Sequence, residues 1–302
     1  MSKKGSCVLC EPPRVKYALI REYIGEFSIV MMCRSLGVSR SGYYRWLGRP
    51  QSDRDKQRAW VKEQVLDTYA TFKARYGAPR IAQELKELYI PCCTNTVAKV
   101  LRLQGLKAHN GKSFNYGGHA LTMHNVADNL LWRQFGASKP NEKWTTDITY
   151  IWVENQWLYL ATVMDLFSRT IVGWALEDNM TEALVTKALQ MAFNRREIQP
   201  GLIVHSDRGV QYRSQKYIDF MAKHGAVPSM SRKGNCWDNA PMESFYSRLK
   251  VELIYPEQFS SIEEAKSGIF EYIEIFYNRL RRHSSLGYVS PAQFEKDAAM
   301  AA

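Results

Sequence analysis

Three acids in this sequence have the type and spacing to do metal-assisted chemistry. Asp147 lies inside "WTTDITYIWV", a β-rich run in which an acid is disfavoured and expected to be buried on at least one side. Asp207 ends the short apolar run "GLIVHSD", just before Arg208 and Gly209. Glu243 lies in "NAPMESFYSRLK", with thirty-five residues between it and Asp207. If the two runs are neighbouring strands and the helix packs against their edge, the three carboxylates converge. Carboxylates held together repel, and their pKa values rise unless a cation neutralises them. All-oxygen donors select one or two hard divalent ions, most plausibly Mg²⁺. Two such ions about 3.5–4 Å apart activate an attacking oxygen and stabilise a leaving one in phosphodiester chemistry.

The elements that must position these acids can be read from periodicity and turn chemistry. From Trp144, "WTTDITYIWV", "QWLYLATVMDLF" and "RTIVGWALE" form three β-rich runs joined by short polar turns, an antiparallel meander. A helix over about 181–195, the strand "GLIVHSD", a helix over about 214–224, the strand "AVPSMS" and the helix "APMESFYSRLKVEL" follow. Asn239 is the expected N-cap of that last helix, with Pro241 in its first turn. This order predicts an α/β fold, a ribonuclease-H-like mixed five-stranded sheet with flanking helices. Helical modules precede it. In "VMMCRSLGVSRSGYYRWL", Gly37 makes the turn and Ser39 caps a second helix. That is helix-turn-helix spacing, with Arg40, Tyr43, Tyr44 and Arg45 available to a groove or backbone.

The expected division is a helix-turn-helix region at 1–52, a second helical, helix-turn-helix-like module at 53–108 and a linker at 109–140. The catalytic core at 141–258 and a helical tail at 259–302 complete it. The linker is rich in Asn, Gly, Ser and His apart from a helical patch at "NLLWRQF". The chain carries 41 Lys and Arg against 30 Asp and Glu, a formal charge of +11. Such an excess favours a polyanionic partner. Apolar runs are too short for a membrane span and the N-terminus has no signal-peptide core, so a cytoplasmic location is expected. The six cysteines do not make a disulfide scaffold. Cys7 and Cys10 with His119 and His124 are too far apart in sequence to favour zinc.

"DITYI", "DLFSRTIVGWAL", "HSDRGVQY", "SMSRKGNCWDNAPMESF" and "RRHSSLGYVSPAQF", in this order, resemble the second-frame (orfB-type) transposase of a two-reading-frame bacterial insertion-sequence family. The resemblance runs from about Tyr17 to Phe294 and is strongest over 144–291. It implies a core similar to retroviral integrases, with Asp147 bridging two Mg²⁺ ions and Asp207 and Glu243 each completing one ion's shell. Mn²⁺ would substitute. It also implies nicking at the ends of the element, then attack of the freed 3′-OH on another phosphodiester. The implied partners are double-stranded DNA (element ends and target), further copies of the chain, and an upstream-frame protein as fusion or partner, in the nucleoid. A catalytically silent DNA-binding regulator is the competing reading.

Helical spacing puts Ser247 and Lys250 on the face of Glu243, so Lys250 is expected to contact DNA beside the acids. Arg232 and Lys233 would reach the DNA backbone from their loop, and Arg281 and Arg282 from the cluster after the tail helix. Other polar residues have plainer explanations. Asp238 is expected to serve its loop, Asp165 a turn or a pair with Arg169, and His205 the core of its strand.

Overall fold

The computed structural model describes residues 11–50, 52–109, 126–233 and 235–301, so Cys7, Cys10, His119 and His124 lie outside the described residues. The chain divides into two compact units, Met1–Gln64 and Val65–Ala302.

In the first unit, α1 (Pro13–Glu22), α2 (Ile29–Ser35) and α3 (Arg40–Leu47) close around Ile20, Cys33 and Tyr43, with Tyr17, Met32, Leu36 and Trp46 packed against them. Ser28 and Ser39 cap α2 and α3 by accepting from Met31 N and Gly42 N, and Gly37 turns between them at φ 64°. The predicted helix, turn and second helix are all present. The division between units falls within α4 (Asp53–Thr71), later than residue 52.

The second unit begins with the end of α4, α5 (Ala78–Glu87) and α6 (Thr94–Leu103), so these helices belong to the same compact body as the sheet. The stretch 126–140 is not a helical patch in a linker. Trp132 and Arg133 have positive φ, which a right-handed helix excludes, and Asn129 Oδ1 accepts from the Leu131 and Trp132 amides. Leu131 is buried, and Leu130 N donates to Ser229 Oγ, so this stretch is laid onto the core.

The sheet has the order β3-β2-β1-β4-β5. Strands β1 (Lys143–Val153), β2 (Gln156–Asp165) and β3 (Ile171–Glu177) pair antiparallel, while β4 (Ile203–Ser206) and β5 (Val227–Met230) add in parallel. This is the mixed five-stranded sheet that the order of elements predicts. On one face α7 (Glu182–Arg195) and α8 (Gln215–Lys223) bury Leu184, Ala188, Leu189 and Met221 against Trp144, Ala161, Val163 and Val172. The other face receives α9 (Ala240–Leu249). A π-helical turn (Lys250–Ile254) extends it into the short α10 (Tyr255–Glu257). In the tail, α11 (Ile262–Phe270) continues as a π-helical segment (Glu271–Leu280), and α12 (Pro291–Ala301) ends the chain. Among the described residues no helix is long and apolar enough to cross a membrane.

Gly173 sets how closely α7 approaches β3. A Cβ there would collide with the Ala188 carbonyl oxygen and lie 2.7 Å from the Ala192 nitrogen, both backbone atoms of α7. Gly173→Ala is therefore expected to lower unfolding free energy by about 3 kcal/mol, the upper end of the usual cost of overpacking. Urea unfolding measures it, and a loss below about 1 kcal/mol would show that α7 can move aside.

Candidate active site

β1 presents alternate residues to each face of the sheet. Asp147 pairs with Thr162 of β2, so their side chains share a face. That face is the one under α9, because the Tyr246 hydroxyl of α9 lies 2.8 Å from Thr162 Oγ1 and 2.5 Å from the Asp147 carbonyl oxygen. At the start of α9, Asn239 does not cap the helix with its side chain. It reaches β1 instead, accepting from Thr145 Oγ1 and donating to the Thr146 carbonyl at 3.2 Å. Asn239, just before α9, and Tyr246 within it thus pin the helix beside Asp147.

The second acid arrives through the parallel pairing. Lys143, Trp144 and Thr145 pair with Ile203, Val204 and His205. Continuing that register by two residues sets Asp147 beside Asp207, just past the end of β4. The Asp207 Oδ1 accepts from Gly209 N at 2.8 Å, and a Cβ on Gly209 would approach that oxygen to 2.9 Å. The Gly at that position is what lets the turn fold over the carboxylate. Glu243 stands half-buried in the first turn of α9.

The electrostatics follow from this arrangement. Burial pushes the Asp147 carboxyl well above the usual range, with Asp207 and then Glu243 adding to the rise and Lys250 opposing it. Burial also raises Asp207, against the Gly209 amide and Arg213. The Lys250 ammonium is pushed down by burial and partly restored by Asp147. Tyr212, whose hydroxyl lies 3.3 Å from Thr146 Oγ1, is raised by burial and by both aspartates. The three acids do not stand as a closed cage: among the described residues no group of three His, Cys, Asp or Glu has the spacing to hold a metal ion. The donor chemistry suits a hard cation, and Asp147 and Asp207 are the pair brought together.

The cationic candidates separate by exposure. Arg40 and Arg45 are exposed on α3, and Arg40 lies over the Tyr44 ring at 5.8 Å. Tyr43 is corrected: it is wholly buried among Ile20, Cys33 and Trp46, because α3 turns its apolar side inward, and it has no surface for DNA. Lys233 is exposed. Arg232 is half-exposed, but its backbone and side chain all donate to Asp238. Arg281 and Arg282 are also corrected. Arg281 is 2% exposed and bound to Glu252, while Arg282 bridges Glu84 and Glu87 of α5. Their guanidinium groups tie the tail to its own unit rather than facing a phosphate.

The plainer readings have structural partners. Asp238 is fully buried and accepts from Arg232, Arg133 and Asn129, and Arg232 above all holds its carboxyl far below the usual range. Asp165 caps its surroundings, accepting from Asn141 N and Phe167 N at 2.9 Å each, with Arg169 engaged through its backbone amide and not as an ion pair. His205 lies between Ser229 and Ser231 and is pushed down to about 4 by burial, so it is neutral at pH 7. Sequence reasoning missed the anchoring roles of Asn239 and Tyr246 and the buried Tyr212. For Tyr246 the only signal was a polar residue on a helix face that must meet a sheet; Tyr212, in the turn before α8, gave none.

Family comparison agrees with this architecture. Profiles described as "Integrase core domain" match residues 137–236 and 243–298, and one described as "HTH-like domain" matches 55–112. "Transposase InsF for insertion sequence IS3A" from Escherichia coli (strain K12) is 46% identical over 286 residues, covering 93% of this chain and 98% of its own. "Insertion element IS600 uncharacterized 31 kDa protein" from Shigella sonnei is 42% identical over 275 residues, covering 90% of this chain and all of its own. Among solved structures, the HTLV-2 integrase catalytic core domain in complex with magnesium superposes with a TM-score of 0.42 at 16% identity, over 52% of this chain and 98% of its own.

Proposed function

This chain belongs to the IS3-type family of insertion-sequence transposases, DNA-binding polynucleotidyl transferases, and from that premise we propose that Asp147, Asp207 and Glu243 are its catalytic carboxylates. The observation that carries the proposal is the β1–β4 register, which sets Asp147 beside Asp207 while α9, pinned to β1, brings Glu243 within electrostatic reach.

The three carboxylates would be the donors for divalent magnesium, two ions in our reading, with manganese accepted in its place. When bound, the ions would supply Lewis acidity toward an attacking oxygen and a leaving oxygen. Burial and like charge raise the Asp147 carboxyl, so binding of a cation there would favour its ionised form. Lys250, beside Asp147, offsets phosphate charge. The first step forms a bond from water oxygen to phosphorus at the element end, breaks the bond to the 3′ oxygen and leaves a 3′-OH and a 5′-phosphate. In the second, that 3′-OH attacks a target phosphodiester, a new phosphorus–oxygen bond forms, and the target's 3′ oxygen departs. Arg40, Arg45 and Lys233 are the exposed cations for the backbone. Pairing two DNA ends calls for at least two copies, with the upstream-frame protein as fusion or partner.

The test is incubation with labelled terminal inverted-repeat duplex. Nicking and joining are expected with Mg²⁺ or Mn²⁺ and none in EDTA; tight binding without cleavage in either metal would overturn the proposal in favour of a silent regulator.

The raised carboxyls also predict a pH dependence. An acid whose folded pKa lies above its unfolded value contributes stability below the unfolded pKa and loses it as pH rises through the folded one. In EDTA, melting temperature is therefore expected to fall as Asp147 and Asp207 ionise. A divalent ion should restore about 5–10 °C at roughly a hundredfold excess over Kd, and the gain should grow with pH. A gain that is the same at acid and alkaline pH would remove these carboxylates as the ligands.

A further inference from the structure

On the flank of α9 turned away from Glu243 lies a partly open cavity of about 380 Å³. Ala240, Pro241, Ser244, Phe245 and Arg248 line it from α9, whereas Glu243 and Lys250 fall on the other side of the helical wheel. The remaining walls come from Arg80 on α5, Arg169 in the β2–β3 turn and the segment with Arg281 and His283. None of the lining residues is acidic.

Arg281 is neutralised by its two bonds to Glu252. Arg80, Arg169 and Arg248 have no carboxylate partner among the described residues. Arg80 is oriented by its Nε bond to the Arg282 carbonyl at 3.0 Å and by the Tyr76 ring beneath it at 5.7 Å. Arg80 feels its cationic neighbours. Burial, then Arg281, lowers the Arg80 pKa, Glu252 and Tyr76 oppose the fall and Arg248 adds to it, while burial lowers that of Arg169. His283 is pushed down to about 4 by burial and then by Arg281, Arg169 and Arg80, so it joins the wall as a neutral ring bonded to Ser285 at 2.9 Å.

Half-buried Arg80 and Arg169 and exposed Arg248, converging on a cavity with no acidic lining residue, form a site complementary to an anion. Guanidinium forks flanked by serine hydroxyls suit tetrahedral phosphate oxygens. We propose that this cavity binds a DNA-backbone phosphate other than the one being cut or joined, anchoring the duplex on the side of α9 opposite the acids. The proposal rests on the chain acting on DNA. It does not depend on the assignment of the three carboxylates. A free phosphate ion offers the same chemistry, but the chain's +11 charge and its membership of a DNA-transposase family point to a phosphodiester.

The experiment measures affinity for a fluorescein-labelled duplex across a salt series, using the full chain in EDTA so that no strand chemistry occurs. Arg248→Gln and Arg169→Gln should each weaken binding and reduce the slope of log affinity against log salt by about one, whatever the sequence. Lys266→Gln, an exposed cation on α11 away from the cavity, should leave the slope unchanged. Arg169 has φ 63° in its turn, so thermal melts accompany the series, and Arg169→Lys should recover the slope if charge is what matters. Unchanged slopes for the folded Arg248→Gln and Arg169→Gln proteins would overturn the proposal. It would also be overturned if inorganic phosphate raised the melting temperature of the parent but not of Arg169→Gln while the DNA slopes stayed equal. Lost nicking with intact slopes would count against the carboxylates and leave the cavity standing.

Discussion

Asp207→Asn is expected to lower strand nicking and strand transfer by about 10³-fold or more while duplex affinity holds. The amide occupies the same volume, and its oxygen can still accept from Gly209 N, so the turn after β4 should survive. What disappears is one negative charge beside Asp147. A carboxylate ligand is worth several kcal/mol of transition-state stabilisation at a metal-assisted phosphoryl centre, and about 4 kcal/mol corresponds to about 10³ in rate. The sign of the stability change differs from that of activity. Removing one of two repelling acids should leave the ion-free protein at least as stable as the parent, and divalent ions should then raise its melting temperature less. Quantitative nicking of end-labelled duplex, read beside melting in EDTA, checks both. Parental nicking rates would show that Asp207 is not a ligand, whereas unfolding of the variant would show a structural role.

The largest stability effect is expected from Glu252→Gln. Glu252 is buried in the π-helical turn that follows α9; its carboxylate accepts from Arg281 at 2.9 and 2.8 Å and from the Tyr272 hydroxyl at 2.9 Å. Its backbone carbonyl accepts from Arg75 Nε at 3.0 Å, so this one residue joins α9, the tail and the chain entering α5. Neutralising it leaves the Arg281 guanidinium buried without a counter-charge, a change that typically costs about 3–5 kcal/mol. Urea unfolding should show that loss. The pair itself is worth far less than either single deletion suggests. Replacing both partners together, Glu252→Leu with Arg281→Met, should recover most of the loss, because no lone charge then remains. A double variant no better than Glu252→Gln would mean that the hydrogen bonds, and not the charge balance, hold this junction.

These two sites show how differently the residues of this protein could be read in advance. Asp147 was conspicuous because an acid inside a β-branched run contradicts local propensity, and Asp207 because it closes an apolar strand. The sheet order followed from three short-turn strands and two helix-linked ones, since parallel and antiparallel pairings are dictated by connection length. The helix cap at Ser39 was legible because capping is a matter of a few adjacent residues, although Asn239, expected to cap α9, turns its side chain to β1 instead. By the same logic Asp238 could be assigned to its loop, although Asn129 and Arg133, which also hold it, come from more than a hundred residues away.

The cations were less legible, because a basic residue looks the same in sequence whether it faces a phosphate or a buried glutamate. Arg281 and Arg282 fall in a run of positive charge that reads as a polyanion surface, yet their partners Glu252, Glu84 and Glu87 are brought to them by the docking of the tail onto α5 and α9. Arg80, Arg169 and Arg248 are scattered over the chain and form no pattern until the fold lines one cavity with them. Tyr43 was misplaced for a related reason: the helix periodicity allowed either side to face inward, and packing against Ile20 and Cys33 decided it. The succession of strands and helices, the cap at Ser39 and the conspicuous position of an acid inside a strand are short-range properties, so the sequence alone determined them. Which charges meet which is decided by burial and by contacts between distant segments, and only the tertiary structure could settle that.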